Sequence, residues 1–168
     1  THADAAGAGR PPLLVLDPLT AFLDEHGIGA GELRVEPVGE GHSNVTFAVT
    51  REDGARFIVR RPPRPPVPPS AHDVLREARV LTALESRARV PAVLATCADE
   101  AVIGAPFYVM ELVEGHVITT AVPPELDTEA DRTRIGEELI DALVEVHAVD
   151  WAAAGLEGFG KPTGYLER

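Results

Sequence analysis

Two arginines and a glutamate carry the most specific chemical suggestion in this 168-residue sequence. Arg60 and Arg61 close the apolar run Phe57-Ile58-Val59, and Glu77 lies within AHDVLREARVLTAL, residues 71–84. Read as a helix, that segment places Val74, Ala78, Leu81 and Leu84 on one apolar stripe. Glu77, three residues after Val74 and four before Leu81, falls inside the stripe. A carboxylate facing a core needs a partner, because burying an unpaired charge is costly. In FIVRR, read as a strand, Ile58 and Arg60 point to one face and Phe57, Val59 and Arg61 to the other. An Arg60–Glu77 ion pair between strand and helix satisfies both groups; the alternative is that Glu77 sits at the edge of the stripe and reaches water. Arginine is a planar, two-pronged donor that suits phosphate as well as carboxylate.

Upstream of this pair stands Gly39-Glu40-Gly41-His42-Ser43-Asn44, between Val38 and the run VTFAV. Its two glycines let a backbone approach a ligand closely, and Ser43 and Asn44 add short polar groups. Taken alone, a glycine turn merely connects strands. Here it precedes a strand, a hairpin, a cation on the next strand and a glutamate in the next helix, and that order is the informative signal. Downstream, Tyr108-Val109-Met110-Glu111-Leu112-Val113-Glu114-Gly115 reads as an apolar strand running into an acidic, glycine-ended connection, a candidate hinge.

The elements that must position these residues can be read from periodicity. Leu13, Leu14, Leu16, Leu19, Phe22 and Leu23 recur near the helical period, and Asp17-Pro18 suits a helix start, with Asp as cap and Pro at the first helical position, so a short helix is expected over 18–26. Val45, Phe47 and Val49 alternate with Asn44, Thr46 and Ala48, and Glu52-Asp53-Gly54 supplies the tight turn of a hairpin with one buried face. Residues 60–70, RRPPRPPVPPS, hold six prolines and three arginines. Prolines cannot continue a sheet ladder, so this stretch is read as an extended spacer; a polyproline ligand for an aromatic groove is the rival reading. After it, Ser70 and Asp73 resemble a capping box opening a helix to about Ser86. Two further strands, PAVLATCAD and PFYVMELV, flank a turn near Ile103-Gly104-Ala105. A long amphipathic helix over 128–149 sets Ile135, Leu139, Leu143 and Val146 on one face. Strands on both sides of a single helix give an α+β class, with a mainly antiparallel sheet of about five strands and that helix packed on it.

Composition bounds the function classes. A 45% hydrophobic and 25% charged chain is globular, and with 5% aromatic residues its core rests on aliphatics and alanine. The net charge of −12 opposes non-specific binding of nucleic acid, although a locally positive site at Arg60, Arg61 and Arg64 leaves a phosphorylated small molecule open. The single cysteine, Cys97, allows no internal disulfide, and no Cys/His cluster has zinc spacing. No stretch approaches a membrane span and no signal peptide is apparent, so a cytoplasmic location without membrane partners is expected.

Taken together, GEGHSNVTFAV, FIVRRPP, REARVLTAL, PFYVMELVEG and LIDALVEVHAVD resemble the aminoglycoside phosphotransferase family of the protein-kinase-like fold. Within that family it most resembles the phosphotransferases related to the kinase-like domain of some acyl-CoA dehydrogenases. The resemblance runs from about Leu13 and implies the following. Gly39, Gly41, His42, Ser43 and Asn44 cover the phosphates of ATP or GTP. Arg60 stands where kinases keep the strand lysine, with Glu77 as its helix partner and Arg61 as the fallback. Met110 lies near the back of the adenine pocket, and the Glu111 carbonyl and the Val113 backbone meet the adenine edge. His147 is a packed structural residue.

Arginine in place of lysine is one departure. The other is that no His-Gly-Asp or Asp-Phe-Gly-like run occurs between Gly115 and Arg168. The catalytic residues and the Mg2+-binding carboxylate are therefore expected outside this chain, in a second lobe. The implied organisation is a lead-in over 1–12, a kinase-like N-lobe over 13–113, and a hinge with the start of a truncated C-lobe over 114–168. The function expected is the nucleotide-binding part of a phosphotransferase acting on a small-molecule hydroxyl, inactive alone. The alternatives are a non-catalytic kinase-like module binding nucleotide or a partner, and an unrelated α+β protein in which Arg60 and Glu77 are only structural.

Overall fold

The structure, a computed structural model, describes residues 2–3, 12–39, 44–66, 72–160 and 163. It divides into two compact units, one of residues 1–79 with 91–112, the other of residues 80–90 with 113–168.

In the first unit, helix α1 (Leu16–Glu25) begins two residues before the expected start. Val15 is the cap residue and makes no side-chain cap bond, so Asp17 lies inside the first turn. An acidic group is favoured there, and the missing N–H of Pro18 costs nothing. Leu19 and Leu23, one turn apart, are fully buried. Five strands follow: β1 (Leu33–Val38), β2 (Val45–Arg51), β3 (Arg56–Arg61), β4 (Val93–Cys97) and β5 (Phe107–Glu111). Their order in the sheet is β1-β2-β3-β5-β4, with every neighbouring pair antiparallel. A two-residue ladder, His2–Ala3 with Leu14–Val15, stands apart from this sheet.

The β2–β3 hairpin closes as its Asp-Gly turn demands. Gly54 has φ of +90°, its N–H donates to the Arg51 carbonyl at 2.9 Å, and Arg51 N–H donates to the Ala55 carbonyl at 2.8 Å. Helix α2 (Val74–Leu84) is capped by Asp73, whose Oδ1 accepts from Arg76 N–H at 2.9 Å. Ser70, the other half of the expected capping box, lies outside the described residues. Where a plain turn was expected near residue 103, the chain instead makes a four-residue helix, α3 (Glu100–Ile103). Asp99 Oδ1 accepts from Ala101 N–H, and Gly104 in the left-handed region ends it.

Alternation sorts the sheet into two faces. One carries Phe47, Val49, Phe57, Val59, Phe107 and Val109, clustered with Leu14, Leu19, Leu23 and Ile103, while Phe22 meets Phe107 edge to face at 5.0 Å. The opposite face carries Thr46, Arg60 and Tyr108 in one cross-strand row and Ala48, Ile58 and Met110 in the next. Two arginines are buried on the core side. Arg51 donates to the Ile28 carbonyl at 3.1 Å, the Gly31 carbonyl at 2.8 Å and Asp24 Oδ1 at 2.7 Å. Arg61 donates to the carbonyls of Leu13, of Ile103 at 3.1 Å and of Pro62 at 3.1 Å. Burial, and after it the charge of Arg64, lowers the Arg61 pKa, but a guanidinium stays charged.

The second unit holds the last residues of α2, a 3-10 turn (Pro124–Leu126) and helix α4 (Glu129–Ala148), capped by Thr128 Oγ1, which accepts from Asp131 N–H. None of the α4 residues is buried, and Leu139, Ile140, Leu143, Val144 and Val146 are exposed. His147, expected to be packed, is exposed in the last turn with no partner among the described residues, because the helix has no covered face there. Arg89 grips Glu138 at 2.5 Å and Glu145 at 2.9 Å within this unit. No helix among the described residues is long and apolar enough to cross a membrane.

The Arg51 geometry makes a graded prediction. Its side chain is 1% exposed and that of Asp24 is 56% exposed, so the two backbone carbonyls depend on Arg51 more than Arg51 depends on Asp24. Arg51→Leu is expected to cost about 2–4 kcal/mol, because buried acceptors lose their donor. Asp24→Asn is expected to cost below about 1 kcal/mol, as for an exposed ion pair. Urea unfolding followed by circular dichroism checks the ranking; equal losses would contradict it.

Candidate functional site

The site grows from three neighbouring elements of the first unit. β3 delivers Arg60 because alternation turns it away from the core that holds Val59 and Arg61. α2 delivers Glu77 one turn after its start, between the buried Val74 and Ala78. β5 delivers Tyr108 directly opposite Arg60. Arg60 Nε lies 2.9 Å from Glu77 Oε1, with the two side chains 25% and 34% exposed. The Nε–H is not aligned as a hydrogen bond, so this contact is one of charge. The partial exposure means that the two sequence readings of Glu77, paired and water-reaching, both hold.

The remaining polar atoms complete a network. Arg60 Nη1 donates to Thr46 Oγ1 at 2.7 Å, and Nη2 has no partner among the described residues. Asn44 Nδ2 donates to Glu77 Oε2 at 2.8 Å, while its Oδ1 lies 3.2 Å from His72 Nδ1. The Tyr108 hydroxyl is buried close to Glu77, near enough to interact but without a well-aligned hydrogen bond to any described residue. Burial, and then the negative charge of Glu77, raises its pKa, with Arg60 opposing. A partly buried guanidinium, braced at Nε and Nη1 and with Nη2 unpartnered among the described residues, has a donor edge whose chemistry suits an anion such as phosphate.

The other expected residues are placed as follows. Gly39 ends the β1 connection with φ of +78°, where only the backbone angle, and no neighbouring atom, asks for glycine. Gly41, His42 and Ser43 lie outside the described residues. Asn44 is engaged with Glu77 and His72. Met110 shares the face of Arg60, two residues beyond Tyr108. Glu111 is exposed at the end of β5; its N–H donates to the Ala92 carbonyl at 2.9 Å and its Oε2 accepts from Ala92 N–H at 3.4 Å. Val113 opens the second unit with an exposed side chain. Arg61, the fallback for Arg60, is on the opposite face and already committed to three carbonyls.

Thr46, His72 and Tyr108 were not singled out by the sequence. Alternation from Arg60 and Met110 would have put Thr46 and Tyr108 on the same face. No local pattern marks His72. Cys97 is buried, and burial pushes its thiol pKa up, which opposes a nucleophilic role. Among the described residues, no group of three or more His, Cys, Asp or Glu side chains is placed to hold a metal ion.

Residues 34–168 match the phosphotransferase enzyme family. The chain is 38% identical over 140 residues to acyl-CoA dehydrogenase family member 11 of Gallus gallus, covering 83% of this chain and 18% of that protein. It is 34% identical over 151 residues to acyl-CoA dehydrogenase family member 10 of Mus musculus, covering 89% and 14%. In structure it is similar to a Ralstonia eutropha protein assigned to the aminoglycoside phosphotransferases, with a TM-score of 0.73 and 35% identity, over 90% of this chain and 44% of that one. The chain thus spans under a fifth of these curated relatives and less than half of the structural neighbour.

Tyr108 offers a test of the electrostatics. Its pKa is raised in the folded state above the ordinary value of 10.0, so the folded chain holds the phenolic proton longer than the unfolded chain. The associated stability is fully present below that value and is lost as pH rises above it. The midpoint of urea unfolding should fall more steeply above pH 10 for the parent protein than for Tyr108→Phe. Parallel declines would show that Tyr108 ionises freely.

Proposed function

The chain belongs to the phosphotransferase enzyme family, and from that premise we propose that it is the nucleotide-binding part of an ATP- or GTP-dependent phosphotransferase acting on a small-molecule hydroxyl. The observation that carries this reading is the Arg60–Glu77 contact at 2.9 Å on the sheet face shared with Met110. A strand cation held by a helix carboxylate is a recurring part of phosphoryl-transfer sites.

The fit to a nucleotide rests on this chain's own atoms. Arg60 is held on one side by Glu77 and Thr46, which leaves the Nη2 edge to receive phosphate oxygens without first paying to order the side chain. Glu77 offsets the positive charge and fixes its direction. On this reading the Glu111 carbonyl is offered to the adenine edge, and Met110, on the face of Arg60, lines the apolar back of that pocket. Gly39, at the end of β1, is assigned to the phosphate end of the nucleotide. A nucleoside triphosphate, when bound, supplies the transferable γ-phosphoryl group. The described residues assemble no carboxylate set for Mg2+, and neither its ligands nor the base that activates the acceptor hydroxyl is assigned to any of them.

Arginine in the lysine position suits this role. Its fork can keep Glu77 and Thr46 while offering a further donor, which a lysine ammonium, as a compact point charge, does with less directional control.

Two outcomes test the reading. In the full-length protein, Arg60→Met and Glu77→Gln are each expected to weaken ATP binding about tenfold or more, the size of one lost charge-assisted contact, with Tm little changed. Isothermal titration with ATP and GTP measures this, and unchanged affinity in both variants would refute the assignment. The 168-residue chain alone is expected to bind nucleotide without transferring phosphate, because its sequence after Gly115 holds no His-Gly-Asp or Asp-Phe-Gly-like run. Turnover by the purified chain would refute that.

A further inference from the structure

Asn44 was expected to cover phosphates, yet both ends of its amide are already used. Nδ2 donates to Glu77 Oε2 at 2.8 Å, and Oδ1 faces His72 Nδ1 at 3.2 Å. With the amide nitrogen on a carboxylate, the oxygen must accept, so His72 carries its proton on Nδ1. His72 has φ of +64°, a left-handed backbone that costs a non-glycine residue and persists only where its surroundings require it. That backbone turns the chain into Asp73, the cap of α2, and brings the imidazole back to Asn44.

We propose that His72 and Asn44 are positioning residues: they latch the start of α2 to the start of β2 so that Glu77 is held on Arg60, and they act on the nucleotide only through that pair. The inference rests on the nucleotide reading of the site. Its physical basis is the division of labour on the Glu77 carboxylate. Oε1 faces Arg60 and Oε2 receives the Asn44 amide, so the carboxylate cannot turn from the arginine without breaking the second contact. Without Asn44, Glu77, a third exposed, is free to rotate toward water, and Arg60 keeps only Thr46. Asn44 also follows directly on the glycine segment that begins at Gly39. The latch therefore ties the end of that segment to α2 and to the end of the proline link.

The test is a double-substitution cycle in the full-length protein, read by ATP titration and by hydrogen exchange of the first α2 turns. Asn44→Ala is expected to weaken ATP binding about tenfold, as Glu77→Gln does, and the double variant no further, because both remove one unit of the same chain. His72→Ala is expected to give a similar loss. His72→Asn, whose Nδ2 can stand where imidazole Nδ1 stood and whose backbone tolerates the left-handed region, is expected to restore binding. Exchange over residues 74–78 should rise in Asn44→Ala and His72→Ala before any nucleotide is added.

Losses that multiply in the double variant would overturn the proposal, because Asn44 would then touch the nucleotide itself. Failure of His72→Asn to restore binding would remove His72 from the latch. If the parent protein binds neither ATP nor GTP, the nucleotide reading falls. Unchanged exchange would then overturn the latch as well, whereas raised exchange would leave it as a device for placing Glu77.

Discussion

A carboxylate on the packing stripe of a helix is the constraint from which the site follows. Glu77 stands between Val74 and Ala78, both buried, so the helix cannot dock on the sheet without answering that charge. The answer comes from Arg60 across the gap and Asn44 from the side. With about a quarter and a third of the two side chains exposed, the pair lies between the surface case, worth at most about 1 kcal/mol, and the buried case, where desolvation can cancel the attraction. Its contribution to stability is small in either limit. What it secures is direction: a guanidinium that would otherwise sample many rotamers has two of its three nitrogens held in place.

The same logic separates three arginines that composition alone treats as equal. Arg51, Arg60 and Arg61 sit on two paired strands, and alternation sends Arg51 and Arg61 to the core face and Arg60 to the other. On the core face the acceptors are main-chain carbonyls at the ends of neighbouring segments, such as Ile28, Gly31, Leu13 and Ile103. Those carbonyls lie where α1, α3 and the lead-in stop, and a fork with several donors satisfies them where water is excluded. With few aromatic rings to fill its core, the unit joins its peripheral segments to the sheet partly through these two buried cations. Arg60 alone is left with an edge for chemistry.

Local rules made the sheet legible and non-local ones hid the rest. The Asp-Gly turn, the alternation through Phe47 and Val49 and the faces of Arg60 and Arg61 depend on neighbours in sequence, and each is found where the pattern put it. The α+β class and the resemblance to a kinase-like phosphotransferase rested on the order of such elements, and the family match and the structural neighbour agree with them. The start of α1 was misplaced by two residues because Asp17-Pro18 satisfies the first turn as well as the cap. The role of Arg51 was invisible: its partners are carbonyls 20 or more residues away, and a carbonyl has no letter in the sequence. Tyr108 was within reach of the alternation argument. His72 was not, since its contribution depends on a backbone angle.

The proline-rich stretch can be judged by how its ends are held. At its start, Pro62 offers no N–H to the sheet, and β3 stops at Arg61, whose Nε donates to the Pro62 carbonyl. At its far end His72 is fastened to Asn44. One fastening uses a side chain of β3 and the other the residue directly before β2, the strands that carry Arg60 and Thr46. A recognition peptide gains from free, accessible ends that a partner can order on binding. A spacer gains from ends fixed to what it connects, and proline supplies the least slack between them. Fastened ends suit a spacer, and the link from His72 through Asn44 to Glu77 gives the start of α2 its bearing on Arg60.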